Sequence, residues 1–185
     1  KGAENGILVK SAEALETLHT INTVVLDKTG TLTQGKPQVT DILPAEGLAE
    51  NALLGLAACL EAPSEHPLGA AIVEEASERK LPQQPVEGFE AVHGRGVRAV
   101  LGGHTCLAGS RAMMEEAGID LIDWLDRTEA LAAQGKTPLF FAKDTSLLGV
   151  IAVADTPKPT SRDAVAAFKS LGIDVIMLTG DNYRT

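Results

Sequence analysis

Two runs of consecutive apolar, mostly β-branched residues stand out along the chain, and each ends in a short polar loop that carries an aspartate. The first run is TVVL at 23–26 and the second is VIML at 175–178. Continuous apolar runs of this length are typical of strands buried on both faces of a parallel sheet. Residues 159–172, with an early proline, apolar positions on one face and a final glycine, predict a helix before the second strand. The pattern therefore indicates an α/β unit.

The aspartates after these two runs, Asp27 and Asp181, are expected at the same edge of the sheet. In open α/β sheets the loops at the carboxyl ends of the strands gather at one edge. Far more residues separate the two aspartates than a crossover connection requires, so a second unit is inserted between them. We divide the chain into residues 1–35, an inserted domain at 36–148, and residues 149–185, which continue the first domain.

The inserted segment has helical and strand patterns of its own. Four stretches carry helical periodicity or helix-boundary residues: 48–62, 67–80, 111–117 and 121–134. The stretch VRAVLGGHTCLAG predicts two strands joined at Gly102-Gly103, and TPLFFAKD with SLLGVIAVAD predicts a closing hairpin. These elements predict a two-layer α+β unit, with helices packed on an antiparallel sheet.

Composition excludes several classes of function. The 185 residues are 44% hydrophobic, enough for one good core or two small ones, and carry a net charge of −9. Because phosphate contacts require clustered Lys and Arg, we expect no nucleic-acid partner. No apolar stretch reaches the ~20 residues needed to cross a bilayer, so we expect a soluble piece of a longer protein. Cys59 and Cys106 lack CxxC spacing and are expected to be reduced core residues.

The stretch DKTGTLT at 27–33 places an acid at the tip of the first predicted strand. A carboxylate followed by the amides of a glycine-containing turn can act as a nucleophile toward phosphorus. Lys28, Thr29, Thr31 and the Gly30 amide could donate to the phosphoryl oxygens. An isolated Asp in such a loop is more often a turn or capping residue, and that alternative stays open.

Two stretches of the insert carry further candidate residues. In SEHPLG, Ser64 or His66 precedes a proline at a first helical turn, and a histidine there is usually structural. In HGRGVRA, the third glycine of a Rossmann loop is missing and a strand pattern follows, so that interpretation fails. A turn or bulge that needs flexible backbone is the simpler explanation.

DKTGTLT, together with TGDN at 179–182, resembles the phosphorylation domain of P-type ATPases. The resemblance implies that Asp27 accepts the γ-phosphate of ATP, assisted by Lys28, and that Asp27 and Thr29 hold Mg²⁺. It also implies that Thr179, Gly180 and Asp181 line the phosphate pocket. ADTPKPT at 154–160 resembles the family's hinge strand, with Asp155 in the acidic position.

The insert resembles the nucleotide-binding domain of heavy-metal P-type ATPases. Glu61 precedes His66 by five residues, Gly94 and Gly96 match a GxG pair, and Gly109-Ser110 stands where the family has Gly-Asn. The resemblance implies that these six residues bind ATP. It also implies a partial haloacid-dehalogenase-like parallel-sheet domain with an inserted α+β nucleotide-binding domain.

GILVKSAEALE and VIAVADTPKPT look most like the copper-transporting branch. The resemblance implies the cytoplasmic portion of an integral membrane protein that transports Cu(+) through an aspartyl phosphate at Asp27. Its partners would be ATP and the membrane and actuator domains of the same polypeptide, and the transported metal would not bind these residues. The family's GDGxNDAP segment is not among them, so we expect nucleotide binding without efficient autophosphorylation.

Two alternatives remain. The first is a capped phosphatase of the haloacid dehalogenase superfamily, whose members usually carry a second Asp two positions after the nucleophile. Thr29 occupies that position here, and proton transfer by a positioned acid is typically worth about 10²- to 10⁴-fold in rate. The second alternative is a non-catalytic nucleotide-binding module.

Overall fold

The structure is a computed structural model that describes Gly6 and residues 8–178. The helices are α1 Ala12–Leu18, α2 Glu50–Glu61, α3 Pro67–Glu78, α4 Arg111–Glu116, α5 Leu125–Ala133 and α6 Ser161–Ser170. The strands are β1 Thr23–Asp27, β2 Thr33–Pro44, β3 Glu87–Val92, β4 Gly96–Leu101, β5 His104–Gly109, β6 Thr137–Lys143, β7 Ser146–Pro157 and β8 Asp174–Leu178. None of the helices in these ranges combines the length and apolar composition that a bilayer span requires.

The chain divides into two compact units. In the described residues, one unit comprises residues 8–33 and 157–178, and the other is Gln34–Thr156. The predicted domain boundaries stay a prediction, and the second of them, at 148/149, falls inside β7.

The first unit is built on a parallel pair of strands. β1 pairs with β8 in a register that runs from Thr23 opposite Asp174 to Asp27 opposite Leu178. α6 connects β7 to β8 and packs against β8, which is the helix-then-strand order that the apolar pattern predicts. The parallel α/β character of this unit is therefore confirmed.

The prediction that both strands are buried on both faces is wrong for the described residues. Val25 is 58% exposed and Ile176 is 52% exposed, while Val24 and Leu26 are half-buried. The described part of the unit contains two strands, with a helix packed against β8. Such a pair covers one face and leaves the alternate side chains of the other face exposed.

The second unit is organised around a six-stranded sheet with the order β2-β7-β6-β5-β4-β3. The pairs from β7 to β3 are antiparallel, and β4 joins β5 through Gly102 and Gly103, both at positive φ. Along β2 and β7 the contacts run in opposite directions, with Gln38 beside Thr156 and Ala45 beside Leu148. Both predicted hairpins are confirmed.

Side chains of the central strands alternate between two buried clusters. Cys106, Ala108 and Phe141 pack with apolar residues of α2 and α3, whereas Leu107 and Phe140 pack with those of α4. Successive residues of a strand point to opposite faces, so helices cover both faces of the sheet. The predicted two-layer arrangement is thus wrong, and the unit has three layers. Both cysteines are buried and free, as predicted.

Candidate functional site

Asp27 is the last residue of β1, and its side chain is exposed. Its backbone is extended, and the carboxylate makes no capping hydrogen bond to the loop Lys28–Leu32 that follows. The side chain therefore does not act as a cap for this loop. Leu178 is its register partner on β8, and the predicted phosphate-pocket residues Thr179, Gly180 and Asp181 lie outside the described residues.

The loop Lys28–Leu32 is anchored from two sides. The Thr33 hydroxyl accepts a hydrogen bond from the Gly30 amide at 3.1 Å and donates to the Lys28 carbonyl at 3.1 Å. The Lys158 ammonium donates to the Gly30 carbonyl at 2.6 Å, and the Ser161 hydroxyl donates to the Leu32 carbonyl at 2.6 Å. These bonds tie the carbonyls of Lys28, Gly30 and Leu32 to neighbouring side chains beside Asp27. The sequence pattern alone did not single out Lys158 or Ser161 for this role.

Residues suited to Mg²⁺ at this tip are few. The described residues hold no group of three or more His, Cys, Asp or Glu side chains that could bind a metal. Asp27 and Thr29 offer one carboxylate and one hydroxyl. This donor set fits Mg²⁺, which usually keeps several waters and binds through one or two carboxylates and the phosphates of its substrate.

The six predicted nucleotide residues line a single cavity in the second unit. The cavity measures about 390 Å³, within the range of small-molecule sites, and all six are among the residues around it: Glu61, His66, Gly94, Gly96, Gly109 and Ser110. Glu61 ends α2 and His66 directly precedes α3. Gly94 and Gly96 lie in the turn after β3 and at the start of β4, and Gly109 and Ser110 lie where β5 leads into α4. Residues far apart in sequence thus meet at one place.

Glu61 forms a buried wall of the cavity, with 6% of its surface exposed. Its carboxylate lies against α3 at Gly69, where an added Cβ would be 2.4 Å from Glu61 Oε2. Burial raises the pKa of the Glu61 carboxyl, and the hydrogen bond with Ser64 offsets part of that rise. A buried carboxyl of this kind is a hydrogen-bond acceptor that is shielded from water.

His66 has a structural role as well as a place in the cavity. It is the N-cap of α3, its Nδ1 accepts a hydrogen bond from the Leu68 amide at 3.2 Å, and Pro67 occupies the first helical turn. With Nδ1 as the acceptor, the neutral ring carries its proton on Nε2 and can donate from there. The cap predicted from SEHPLG is therefore present, and the ring edge opposite to it stays available.

The glycines of the cavity serve different purposes. A Cβ on Gly96 would lie 2.1 Å from the Ala108 carbonyl oxygen, and one on Gly109 would lie 2.3 Å from the Arg95 carbonyl oxygen. These two glycines let β4 and β5 approach closely. Gly94, at φ +66°, has no atom within 4 Å of an added Cβ, so its open side can admit a ligand.

Ser110 is the N-cap of α4, and its hydroxyl accepts from the Met113 amide at 3.4 Å. The hydroxyl is therefore already engaged in a helix cap. Its predicted contact with the nucleotide stays a prediction.

Several cavity residues were not predicted from the sequence. Five apolar side chains form walls suited to a flat base: Leu68, Val92, Val97, Pro138 and Leu139. None of the described lining residues is Phe, Tyr or Trp, so a base in this cavity would have no large aromatic ring to stack on. Leu68 and Val97 lie within the stretches SEHPLG and HGRGVRA, whereas the β6 residues carry no signal that would connect them with the site.

A second, shallower groove of about 700 Å³ shares Glu61 and Ser64 with this cavity. Its other walls include Glu74 and Glu78, and Glu74 pairs with Lys36. Acidic side chains disfavour a polyphosphate, so this groove suits a nucleotide less well than the smaller cavity does.

Comparison with known proteins identifies the family. Residues 21–185 match the model of the haloacid dehalogenase-like hydrolases, and the chain belongs to this family. Over its full length it is 48% identical to a copper-transporting P-type ATPase of Rhizobium leguminosarum bv. viciae and 47% identical to a copper-exporting P-type ATPase of Bacillus subtilis (strain 168). It spans 22% and 23% of those two proteins, less than a quarter of their length.

Solved structures agree with this relationship. A zinc-transporting PIB-type ATPase in its E2.Pi state matches with a TM-score of 0.90 and 36% identity, over 99% of this chain and 30% of the other. The catalytic domain of the CPx-ATPase CopB-B, from a study of nucleotide binding, matches with a TM-score of 0.69 and 25% identity. The match covers 98% of this chain and 63% of the other. The predicted fold class and the resemblance to heavy-metal P-type ATPases are confirmed.

Proposed function

We propose that this chain is the nucleotide-binding part, together with part of the phosphorylation domain, of a copper-transporting P-type ATPase. Residues 1–35 and 149–185 would belong to the phosphorylation domain and residues 36–148 to the nucleotide-binding domain. The observation that supports this most directly is the convergence on one cavity of the six predicted residues, which come from three separate stretches of the sequence. Copper is the preferred ion because the relatives of R. leguminosarum and B. subtilis carry that designation.

In this proposal the adenine base enters the cavity between its apolar walls. The buried Glu61 carboxylate accepts a hydrogen bond from the base, and His66 donates from Nε2 or stacks on it. The open side of Gly94 lets the phosphates pass close to the backbone. The Gly109 backbone borders the same path, while the Ser110 hydroxyl keeps its capping bond.

The chemistry is phosphoryl transfer to Asp27. A carboxylate oxygen attacks the γ-phosphorus of ATP, the bond to the bridging oxygen breaks, and ADP leaves. Mg²⁺, which Asp27 and Thr29 would hold, offsets the charge of the phosphates. Lys28 assists at the same tip, and Thr179, Gly180 and Asp181 would surround the phosphate.

Thr29 favours a pump over the capped-phosphatase alternative. With a hydroxyl in place of a second carboxylic acid, the aspartyl phosphate lacks the positioned proton donor that would speed its hydrolysis. A longer-lived acyl phosphate suits a transport cycle. The non-catalytic module is disfavoured because the relatives that are 48% and 47% identical over the whole chain are P-type ATPases.

The proposed setting is the cytoplasmic side of an integral membrane protein. The chain's partners would be ATP and the membrane and actuator domains of the same polypeptide. The transported metal would bind elsewhere in that polypeptide, and no nucleic acid would be involved.

Calorimetric titration with ATP tests the nucleotide site. The informative variant is His66→Asn, because Asn is a preferred N-cap and keeps α3 intact while it removes the ring. We expect ATP to bind about tenfold more weakly, equivalent to ~1.4 kcal/mol. His104→Ala, which removes an exposed histidine away from the cavity, serves as the control and should bind ATP like the wild type. Unchanged affinity in His66→Asn would contradict the proposed site.

A further inference from the structure

Arg95 is the one arginine or lysine among the described residues that line the nucleotide cavity. Its backbone is held on both sides, because its amide donates to the Val92 carbonyl at 2.9 Å and its carbonyl accepts from the Ser110 amide at 2.7 Å. The residue thus lies between the two predicted glycines, in a turn that is tied to the start of α4. The backbone bonds therefore fix where the Arg95 side chain leaves the main chain at this wall.

The Arg95 guanidinium forms an ion pair with Glu116, at the end of α4. The two side chains are 38% and 64% exposed. Exposed ion pairs of this kind contribute little to stability, so the guanidinium can exchange partners at small cost. A second anion with higher charge would compete effectively for it.

A nucleotide polyphosphate is an anion of that kind. It carries several negative charges into a cavity that already holds the Glu61 carboxyl, in a chain with net charge −9. Entry is opposed unless a cation offsets that charge. The planar guanidinium of arginine matches the geometry of phosphate oxygens and can bind two of them at once.

We propose that Arg95 binds the phosphates of the nucleotide and that Glu116 holds its guanidinium when no polyphosphate is present. This inference rests on the proposed nucleotide site. It adds a residue that distinguishes ligands by the number of phosphates they carry. Arg95 strengthens the binding of ATP and ADP and leaves adenosine unaffected. Glu116 weakens polyphosphate binding, because its carboxylate competes for the same guanidinium.

Glu116 could also act by simple repulsion of the phosphates, and a double-mutant cycle separates the two effects. If the carboxylate competes for Arg95, then Glu116→Gln strengthens ATP binding mainly when Arg95 is present. If it only repels phosphate, the gain is the same with or without Arg95.

The experiment is calorimetric titration of the chain with ATP, ADP and adenosine at fixed pH and ionic strength. We expect Arg95→Ala to weaken ATP binding about tenfold and adenosine binding less than about twofold. Glu116→Gln should strengthen ATP binding about threefold, and most of that gain should vanish in the double variant. Equal unfolding midpoints, measured by the fluorescence of Trp124, establish that each variant is folded.

Two matched controls each remove a charge of the same sign from a nearby position that does not line the cavity. Arg98→Ala removes an arginine from β4 that pairs with Glu90 at 3.0 Å and does not line the cavity. Glu115→Gln removes a carboxylate beside Glu116 and releases Arg111, another residue outside the cavity lining. Both should leave the ratio of ATP to adenosine affinity within about twofold of the wild type.

The outcomes are distinguishable. If the wild type binds ATP and adenosine but Arg95→Ala leaves the ratio of their affinities unchanged, the role of Arg95 is overturned while the nucleotide site stands. An equal gain from Glu116→Gln in both backgrounds overturns the role of Glu116 as a competitor. If the wild type binds neither ligand, the proposed site fails and this inference fails with it.

Discussion

Replacement of Gly96 by alanine should destabilise the second unit far more than replacement of Gly94, two residues earlier. Both glycines belong to the same predicted nucleotide motif. At Gly96 an added Cβ would lie 2.1 Å from the Ala108 carbonyl oxygen and 2.5 Å from the Gly109 Cα, closer than the 3.0 Å that real Cβ atoms respect. The obstructing atoms are backbone, so they can move only if β4 separates from β5.

The magnitude follows from two costs. The backbone of Gly96, at φ +150°, is strained for any residue with a Cβ, which costs about 1–3 kcal/mol. Separation of the strands weakens neighbouring ladder hydrogen bonds, each with a net value of about 0.5–1.5 kcal/mol. With two such bonds weakened, the sum is about 2–6 kcal/mol, a large part of the roughly 5–15 kcal/mol that stabilises a typical domain. Gly94→Ala, with φ +66° and open space around it, should cost about 1 kcal/mol.

Urea unfolding followed by tryptophan fluorescence measures both variants. Trp124 is the one tryptophan of the sequence and lies in the same unit as Gly96, so its signal reports the unfolding of that unit. A loss of stability in Gly96→Ala no greater than that in Gly94→Ala would refute the close approach of β4 and β5 as the reason for this glycine.

Two further predictions concern the buried carboxyl and the loop after β1. Burial raises the pKa of Glu61, so the native state binds the proton of this carboxyl more tightly than the unfolded chain does. The free energy of unfolding therefore falls as the pH rises from the ordinary carboxyl pKa to the raised pKa of the native state. Glu61→Gln should therefore be more stable than the wild type at pH 8, with a difference that shrinks below the ordinary pKa; urea titrations with the same pH dependence for both proteins would contradict this. Ser161→Ala removes the 2.6 Å bond to the Leu32 carbonyl and should speed hydrogen exchange of the Gly30 amide about fivefold, as expected for the loss of ~1 kcal/mol. Ser170→Ala, which removes a bond confined to the end of α6, should leave that rate unchanged, and equal rates in the two variants would exclude the anchoring role of Ser161.

Local pattern was sufficient for most elements of the fold. The glycine pair at 102–103 fixed the turn between β4 and β5, because both residues adopt positive φ there. Pro67 and the residues before it predicted the start of α3 correctly. Turns and helix starts are determined by residues adjacent in the sequence, so a local sequence pattern is enough to predict them.

Features that depend on distant neighbours were harder to predict. The third layer of the second unit follows from the alternation of Ala108 and Leu107 between two clusters, and a short apolar run does not reveal how many helices will cover it. The exposure of Val25 was mispredicted for a related reason, since burial depends on what packs against a strand. Pro138 and Leu139 reach the cavity from β6, and nothing in their local sequence indicates that position.

The cavity residues were predicted through spacing and resemblance, and so was a helix cap at Ser64 or His66. The cap at Ser110 and the strand-packing role of Gly96 were not predicted. His66 and Ser110 are both helix N-caps, and Gly96 is needed for strand packing. When one residue both supports the fold and borders a ligand site, the sequence pattern around it does not distinguish the two roles. Variants such as His66→Asn are informative because they separate the two.

The pairing of β2 with β7 has a consequence for the order of folding. At the boundary of the second unit the Gly35 amide donates to Asp155 Oδ1 at 2.9 Å, and the Thr156 hydroxyl donates to Gln38 Oε1 at 3.2 Å. The chain therefore enters and leaves this unit at neighbouring points. Once the unit has folded, it acts as a short closed link, and the loop-closure entropy for joining β1 to β8 no longer depends on the length of the insert. We therefore expect the insert to fold first, because the long-range parallel pair becomes effectively local only afterwards.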